Sequence, residues 1–256
     1  MNAAQRLGRP GRLFYGWRVI AAAGVLRFLA GGLHLFGFSI FFLPVSRDLD
    51  LSRAATSLVF SLARLEGAFE GPVVGYLIDR FGPRVIMLIG TLLAGVGYLF
   101  FSQSWNFPIL LLAYVLVITP GAGAGFMHAT LALANNWFIR RRAMAMSLMS
   151  SAVPLGGALL TPLLAGAVYL VGWRWAALAV GVVFLVVALP VARTVRDTPE
   201  GLGLVPDGQP AKPDPAVSLT LSSEARGQHR DHSVREAMRT PAFWVLVLGI
   251  VLRSAV

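Results

Sequence analysis

The chain has 256 residues, 56% of them hydrophobic and 13% charged, and a formal net charge of +10. Soluble domains carry about 25% charged residues, so this composition excludes an ordinary soluble domain and predicts that lipid surrounds most of the chain. No cysteine is present, which excludes disulfides, thiol catalysis and cysteine-ligated metals, and the basic residues lie between apolar stretches rather than on one soluble face, which argues against nucleic acid as a partner.

Six apolar stretches are long enough to cross a bilayer, which takes about 20 mostly apolar residues as a helix. They are 17–44, 54–78, 85–102, 107–134, 143–168 and 174–192. Arginines precede the first stretch, but it is far longer than the core of a cleaved signal peptide and is predicted to remain as the first helix. The connections 103–106 and 169–173 are short, so the helices they join are predicted to be antiparallel neighbours. A seventh apolar stretch starts at Ala242 and reaches only Val256.

The distribution of basic residues predicts the orientation and the domain organisation. Arginines are concentrated before the first stretch, around 80–84, in 140–142 and between 193 and 239, and this side is predicted to be cytoplasmic. We therefore expect a multi-pass protein of a cell (inner) membrane, with lipid as a partner and the N-terminus inside. Residues 193–241 are rich in Pro, Gly, Ser and Asp, which is typical of a mobile linker. The predicted domains are a six-helix unit (1–192), a cytoplasmic linker (193–241) and the truncated start of a seventh helix (242–256).

A charged turn separates the second and third apolar stretches. It reads Gly75-Tyr-Leu-Ile-Asp79-Arg80-Phe-Gly82-Pro-Arg84, and charge beside hydrocarbon is costly and is kept mainly where it has a role. With this turn on the cytoplasmic side, the chain resembles the major facilitator superfamily, whose signature in this loop is Gly-x-x-x-Asp-Arg-x-Gly-x-Arg. Every fixed position of the signature is present, and the resemblance covers about residues 14–256.

The resemblance implies an all-α polytopic membrane protein: a six-helix transmembrane bundle of inverted three-plus-three repeats, the N-terminal half of a twelve-helix carrier. The other half is then a missing partner. The resemblance also implies that Gly75, Asp79, Arg80, Gly82 and Arg84, called here the gate motif, control alternating access. Asp79 is expected to face the start of a helix in the other half when the cytoplasmic side is closed. The alternative is a turn that only sets the topology.

A narrower resemblance, to the monocarboxylate-porter branch, is carried by three segments. They are Phe14-Tyr-Gly16-Trp17, residues 137–145 and residues 235–244. The branch implies a secondary active transporter that moves a small solute, a monocarboxylate or another organic anion, with proton coupling. The first helix lacks the lysine that is frequent in this branch. The alternatives are a drug or metabolite efflux carrier of the same fold and an inactive truncated fragment.

A membrane enzyme and a seven-helix receptor are weaker interpretations. The sequence has no Gly-x-Ser-x-Gly elbow, no pair of intramembrane aspartates and no His-Glu-x-x-His helix, so we expect no catalytic residue, metal or cofactor. The N-terminal arginines predict an orientation opposite to that of the receptor class. A faint repeat between Gly82-Pro-Arg84 and Gly172-Trp-Arg174, which start the third and sixth helices, is typical of a transporter half.

Charged and polar residues inside the predicted helices are candidates for a substrate or proton cavity. They are Arg27, His34, Arg64, Glu66, Glu70, His128, Asn135 and Arg253. Seven residues separate Arg27 from His34, and likewise His128 from Asn135, which puts each pair on one face of an α-helix. Arg27 lies about 15 Å from the inner end of its helix, a depth that predicts pairing with Glu66 or Glu70. Two interpretations stay open: a static brace between helices, or a cavity lining that attracts an anionic substrate or relays a proton.

Overall fold

The computed structural model describes residues 14–208. In that range the long helices are α1 (Tyr15–Asp48), α2 (Arg53–Phe81), α3 (Pro83–Ser102), α4 (Phe107–Trp137), α5 (Arg142–Val171) and α6 (Trp173–Thr194). Two short 3₁₀ turns, Glu200–Leu202 and Pro206–Gly208, follow α6. No strand occurs within residues 14–208, and the predicted all-α fold class is confirmed. The predicted seventh helix, Arg253 and the rest of the predicted linker lie outside the described residues.

Five of these helices, α1 and α3 to α6, are long and apolar enough to cross a membrane, counting only the described part of the chain. α2 has 29 residues, which is also long enough, but Arg64, Glu66 and Glu70 interrupt its apolar sequence. The predicted span 54–78 therefore coincides with a continuous helix whose charged side chains need a polar cavity or partners inside the protein. This requirement places α2 at the candidate site.

α1 and α4 are not regular α-helices. α1 contains the π-helical segment Gly31–Leu35, and α4 contains two such segments, Leu112–Ile118 and Gly123–His128. A π-helical turn bonds residue i to residue i+5, and such turns are frequent at functional sites. The wider turn rotates the following side chains relative to a regular α-helix. A seven-residue spacing that crosses one of these segments therefore does not keep two side chains on one face.

The helices pack as two inverted sets of three. α1 packs extensively along α5, α3 packs along α6 and α4, and α2 contacts α4. At the crossing of α1 and α5, a Cβ on Gly32 or on Gly156 would overlap the backbone of the other helix, and such small residues are typical of close helix packing in membranes. With α1 to α3 matched to α4 to α6, the pair α1–α5 corresponds to the pair α4–α2, as the inverted repeat requires.

Gly82 and Gly172 join consecutive helices at the two matched positions. Their backbone angles nearly coincide: φ 85° and ψ 151° at Gly82, φ 84° and ψ 161° at Gly172. Each N–H donates to a carbonyl of the helix that ends there, that of Ile78 at 2.8 Å and that of Val168 at 3.0 Å. This backbone region is open essentially to glycine alone. The faint repeat in the sequence is therefore a repeated local structure.

The first part of the predicted linker, residues 195–208, packs against helix ends and is called here the α6 tail. Asp197 Oδ1 accepts the backbone N–H of Arg84 at 2.6 Å, and Trp137 Nε1 donates to the Arg196 carbonyl at 2.9 Å. Helix starts leave N–H groups without intrahelical partners, and the tail supplies acceptors that composition alone does not reveal. The predicted domain boundaries themselves stay predictions.

Candidate functional site

The gate motif lies at the junction of α2 and α3. Asp79 is exposed, and its carboxylate has no hydrogen bond or ion pair within residues 14–208. Arg80 donates from Nη1 to the Tyr76 hydroxyl at 3.0 Å and stands over the Phe81 ring, 5.5 Å from its centroid. A Cβ on Gly75 would meet open space. The Asp79 carboxylate is thus available to another segment.

Gly82 and Arg84 anchor the same turn from its α3 side. Arg84 donates its backbone N–H to Asp197 and its Nη2 to the Arg193 carbonyl at 3.0 Å. A Cβ on Gly82 would lie 3.3 Å from the Asp197 carboxylate. Asp197 is a residue that the sequence did not predict for this site. Its only signal is a carboxylate two residues before a proline, inside a stretch whose composition indicates a linker.

Asp207 holds the connection from α4 to α5. Its Oδ2 accepts the backbone N–H groups of Ile139 at 3.0 Å and Arg140 at 2.7 Å, and its Oδ1 accepts that of Arg141 at 3.4 Å. Burial by itself raises the pKa of Asp207, but the three hydrogen bonds and the Arg141 charge outweigh it, so the pKa is lowered. The predicted basic loop is therefore fixed by a carboxylate of the α6 tail.

Arg27 is buried between α1 and α4, with 4% of its surface exposed. Its Nε donates to Thr130 Oγ1 at 2.7 Å and its Nη2 donates to the Met127 carbonyl at 2.9 Å. The sequence predicts a pair with Glu66 or Glu70; that prediction is wrong for the described residues, because Arg27 is turned to α4 and bonds two uncharged oxygens there. Its positive charge therefore has no carboxylate partner within residues 14–208.

Glu70 reaches from α2 toward α4. It is 8% exposed, and its Oε2 lies 3.9 Å from His128 Nε2. Its Oε1 is buried and accepts no hydrogen bond from a described residue. A Cβ on Gly123 would overlap the carboxylate, so this glycine makes the space that Glu70 occupies. The structure thus brings together two predicted site residues, Glu70 and His128, that are far apart in the sequence.

His34 contacts both α3 and α4. Its Nδ1 lies 3.1 Å from the hydroxyl of the fully buried Tyr98. Its ring stacks on Tyr114 of α4 with the centroids 6.0 Å apart. The predicted common face of Arg27 and His34 stays a prediction: the π-helical segment Gly31–Leu35 changes the rotation between them, and the two side chains have different hydrogen-bond partners.

Three cavities meet around His34 and Glu70. The Arg64 cavity, of about 160 Å³, is lined by His34, Phe38, Phe60, Arg64, Tyr114 and Thr119, among others. The Glu70 cavity, also about 160 Å³, is lined by Gly31, His34, Glu70, Thr119, Gly123 and Met127, among others. The lateral pocket, of about 430 Å³, is lined by Glu66, Glu70 and apolar residues of α2, α3 and α4. His34 belongs to the first two cavities and Glu70 to the last two.

The other predicted site residues are more peripheral. Arg64 is exposed and lines its cavity, Glu66 is partly buried, and Asn135 is exposed outside the lining of the three cavities. The neighbouring Asn136 instead donates to the Asp197 carbonyl at 3.3 Å. No cluster of three or more potential metal ligands occurs in the part of the chain that the structure describes.

The uncharged members of the site were missed by sequence reasoning. Thr130 and Met127 bind Arg27, while Tyr98 and Tyr114 surround His34. A search for buried charges finds none of them, because single hydroxyls and aromatic rings are common in apolar helices. The available signal is weak: Thr130 is a polar residue two positions after His128 in the same apolar helix.

Comparison with known proteins identifies the family and relatives of this chain. The family model described as Major Facilitator Superfamily matches residues 20–256. The chain is 27% identical to an oxalate:formate antiporter of Oxalobacter formigenes over 96% of the chain and 54% of that protein. It is 29% identical to monocarboxylate transporter 11 of Homo sapiens, over 81% of the chain and 43% of that protein. It is 30% identical to monocarboxylate transporter 13 of Bos taurus, over 67% of the chain and 40% of that protein.

The chain spans about half the length of these relatives or less. All three are transporters by name, and two belong to the monocarboxylate group, so the resemblance drawn from residues 14–17, 137–145 and 235–244 is confirmed at the level of relatives.

Proposed function

The chain belongs to the Major Facilitator Superfamily, and from that premise we propose that it takes part in moving a small organic anion across a membrane by alternating access. It is a multi-pass membrane protein, and members of this family carry solutes between two rocking six-helix halves. A substrate site near the middle of the bilayer is formed by helices that are locally irregular. α1 and α4 are irregular beside the cavities around His34.

The lining of the Arg64 cavity is the main reason for proposing an anion as the substrate. No carboxylate lines it, and Arg64 has no acid within 4.0 Å among the described residues. A guanidinium binds a carboxylate with two parallel hydrogen bonds, and the neighbouring His34 and Tyr114 offer further polar contacts. The cavity has a volume of about 160 Å³. A carboxylate with few carbon atoms fits this size and charge.

Arg27 adds a second positive charge that no described carboxylate compensates. It lies beside Met127, which lines the Glu70 cavity. A charge inside the bilayer that no opposite charge compensates is costly, so the positive charge of Arg27 favours an anion nearby even though its donors are satisfied by neutral oxygens. The names of the relatives, an oxalate:formate antiporter and two monocarboxylate transporters, agree with this substrate class.

Proton coupling is assigned in this proposal to Glu70 and His128. Their 3.9 Å separation is longer than a direct hydrogen bond, and Glu70 Oε1 is free to carry a proton among the described groups. Glu66 on the same helix and Arg27 and His34 on α1 are the charged or titratable groups around the pair. We expect Glu70→Gln to abolish the stimulation of uptake by an inward proton gradient while exchange of two anions continues.

Asp79 is proposed as the gate contact, with the α2–α3 turn facing the cytoplasm. Its exposed carboxylate is suited to the start of a partner helix, where it gains about 0.3–1 kcal/mol.

The natural absence of cysteine permits clean labelling of single-cysteine variants. An impermeant maleimide should label Tyr169→Cys on intact cells and Ile139→Cys only after permeabilisation, since both side chains are largely exposed at opposite ends of the bundle. The reverse labelling contradicts the orientation.

The transport proposal is tested by measuring anion uptake into proteoliposomes that contain the full-length protein. Labelled oxalate, formate and lactate are offered with and without a proton gradient. We expect saturable uptake of at least one anion, and at least a tenfold loss in Arg64→Gln. Arg53→Gln is the matched control, because Arg53 is also exposed on α2 but stands at its first residue, outside the cavities.

Two results overturn the proposal. One is the absence of saturable, gradient-dependent flux for a broad panel of small carboxylates. The other is an equal effect of Arg64→Gln and Arg53→Gln on a flux that is present.

A further inference from the structure

The lateral pocket differs in chemistry from the anion site. It has about 430 Å³ and opens between α2, α3 and α4. Apart from Glu66 and Glu70, its lining is apolar, with Val73 and Leu77 of α2 and Ile89 and Leu93 of α3 among its walls. Cavities of about 300–1,000 Å³ with apolar walls and a few polar groups are the usual form of a small-molecule site.

The two acids are four residues apart and share one face of α2. Glu66 Oε2 and Glu70 Oε1 are both buried and accept no hydrogen bond from any residue in 14–208. Only 8% of the surface of Glu70 is exposed. A buried carboxylate oxygen without a donor is costly, so this arrangement favours a ligand that supplies positive charge.

The nearby basic groups do not satisfy this pair. Among the described residues, one basic nitrogen lies within 4.0 Å of these carboxylates, Nε2 of His128. It approaches Oε2 of Glu70 and not the unpartnered Oε1. The lining of the pocket holds no arginine, lysine or histidine. A hard metal ion is a poor match, because Ca²⁺ and Mg²⁺ require six or more oxygen ligands and the remaining walls are mainly hydrocarbon.

We propose that the lateral pocket binds a lipophilic organic cation, with the positive centre at Glu66 and Glu70 and the apolar groups against α2 and α3. Such a ligand matches both the unpartnered carboxylate oxygens and the apolar walls. This site does not use Arg64, the residue on which the anion site rests, but it shares Glu70 with the proposed proton-coupling pair. Glu70 also lines the Glu70 cavity, so an occupied pocket fixes the position of a side chain at the centre of the site.

The proton competes with the cation for the same carboxylates. The titratable groups that face Glu70 are Glu66 on α2 and His128 on α4, with His34 across the Glu70 cavity on α1. α3 contributes only apolar residues and Gly90 to the pocket. Acidification that protonates the two glutamates is therefore expected to weaken cation binding.

Equilibrium dialysis of the purified protein in detergent, with tritiated tetraphenylphosphonium as the probe, tests the site. Triphenylphosphine oxide is an uncharged probe that keeps three of the four phenyl groups. We expect saturable binding of the cation, at least tenfold weaker binding of the uncharged probe, and at least a tenfold loss of cation affinity in Glu66→Gln and Glu70→Gln. Glu200→Gln removes an exposed carboxylate of the α6 tail and should bind as the parent does.

A second variant tests the pocket without touching the acids. Ile89→Trp fills it from α3, where Ile89 is half exposed, and should also lower cation affinity tenfold. The proposal is overturned if both probes bind equally, or if the cation binds unchanged to Glu66→Gln and to Ile89→Trp. Because anion flux is measured separately with Arg64→Gln, failure of the cation site is distinguishable from failure of the transport proposal.

Discussion

Arg84 and Arg174 make the same contact in opposite directions. Arg84, at the start of α3, donates from Nη2 to the carbonyl of Arg193 in the last turn of α6, and Arg174, at the start of α6, donates from Nη1 to the carbonyl of Ser102 at the end of α3. A cation at a helix C-terminus also interacts favourably with the helix dipole. The two antiparallel helices are thus fastened at both ends by equivalent residues of the two repeats.

Gly172 forms the junction between α5 and α6, two residues before Arg174, and we predict that an alanine there is destabilising. Its φ of 84° is unfavourable for any side chain, while a Cβ would meet no atom within 4 Å. Gly172→Ala is therefore expected to lower the free energy of unfolding by about 1–3 kcal/mol through backbone strain alone. Thermal unfolding in detergent measures it. Gly166→Ala, at a helical position with equal open space, is the control and should be neutral or stabilising; equal destabilisation by both variants contradicts the strain.

The crossing of α3 and α4 predicts a larger effect at Gly90 than at Gly123. A Cβ on Gly90 would lie 2.6 Å from the Gly121 carbonyl oxygen, part of a backbone that cannot move without separating the helices. Overpacking of this kind costs about 1–3 kcal/mol or more. At Gly123 the obstacle is the end of the flexible Glu70 side chain, so Gly123→Ala should remain folded.

Thermal unfolding of the two glycine variants, with Gly24→Ala as the control that meets open space, checks this order. A Gly123→Ala variant that is less stable than Gly90→Ala contradicts it.

Thr130→Val is expected to destabilise the contact of α1 with α4. Arg27 Nε would lose its 2.7 Å acceptor while staying buried, and a buried donor without a partner costs about 1–3 kcal/mol. Thr130→Ser keeps the hydroxyl and should retain most of the stability. The midpoint of chemical denaturation for each variant tests this prediction, which fails if serine and valine are equally harmful.

We predict that the stability of the start of α5 depends on pH through Asp207. Its folded-state pKa lies below the ordinary value of 3.8, because backbone hydrogen bonds to residues 139–141 outweigh the effect of burial. A lowered pKa means that the contribution to stability is present above pH 3.8 and is lost as the pH falls from there through the folded-state pKa. The protection factors of the amides of residues 139–141, which correct for the intrinsic pH dependence of hydrogen exchange, should fall over that interval.

The same exchange should be fast at neutral pH in Asp207→Asn, because an amide has one acceptor oxygen in place of two. Glu200→Gln changes a nearby exposed acid of the same tail and should leave the amides of 139–141 protected. Equal exchange in all three proteins would contradict the role of Asp207.

Much of the fold follows from local signals in the sequence. The lengths of the apolar stretches predict the helices to within a few residues, since an α-helix must satisfy its own backbone in lipid. Gly82 and Gly172 mark junctions because the required φ excludes side chains. The contacts of the α6 tail were not predictable: Asp197 and Asp207 tie residues 195–208 to helix ends, and composition does not report such specific hydrogen bonds.

The partners of the buried charges were not predictable in the same way. The spacing of Arg27 and His34 indicates one face, but the π-helical segment Gly31–Leu35 changes the rotation between them, and Arg27 bonds residues of α4 while His34 contacts both α3 and α4. Depth along the helix makes Glu70 a partner for Arg27, whereas the structure pairs Glu70 with His128. Rotation about the helix axis decides these contacts, and a short π-helical segment changes it.

The sequence by itself determined that this chain forms membrane helices, where they turn, and that it carries the signature of its family, because apolar length, glycine and charge act locally. Only the tertiary structure decided that Arg27 is held by neutral oxygens, that Arg64 lines a cavity without acids, and that Glu66 and Glu70 share an apolar pocket. Those contacts join residues distant in the chain, and they depend on how helices rotate and pack against one another.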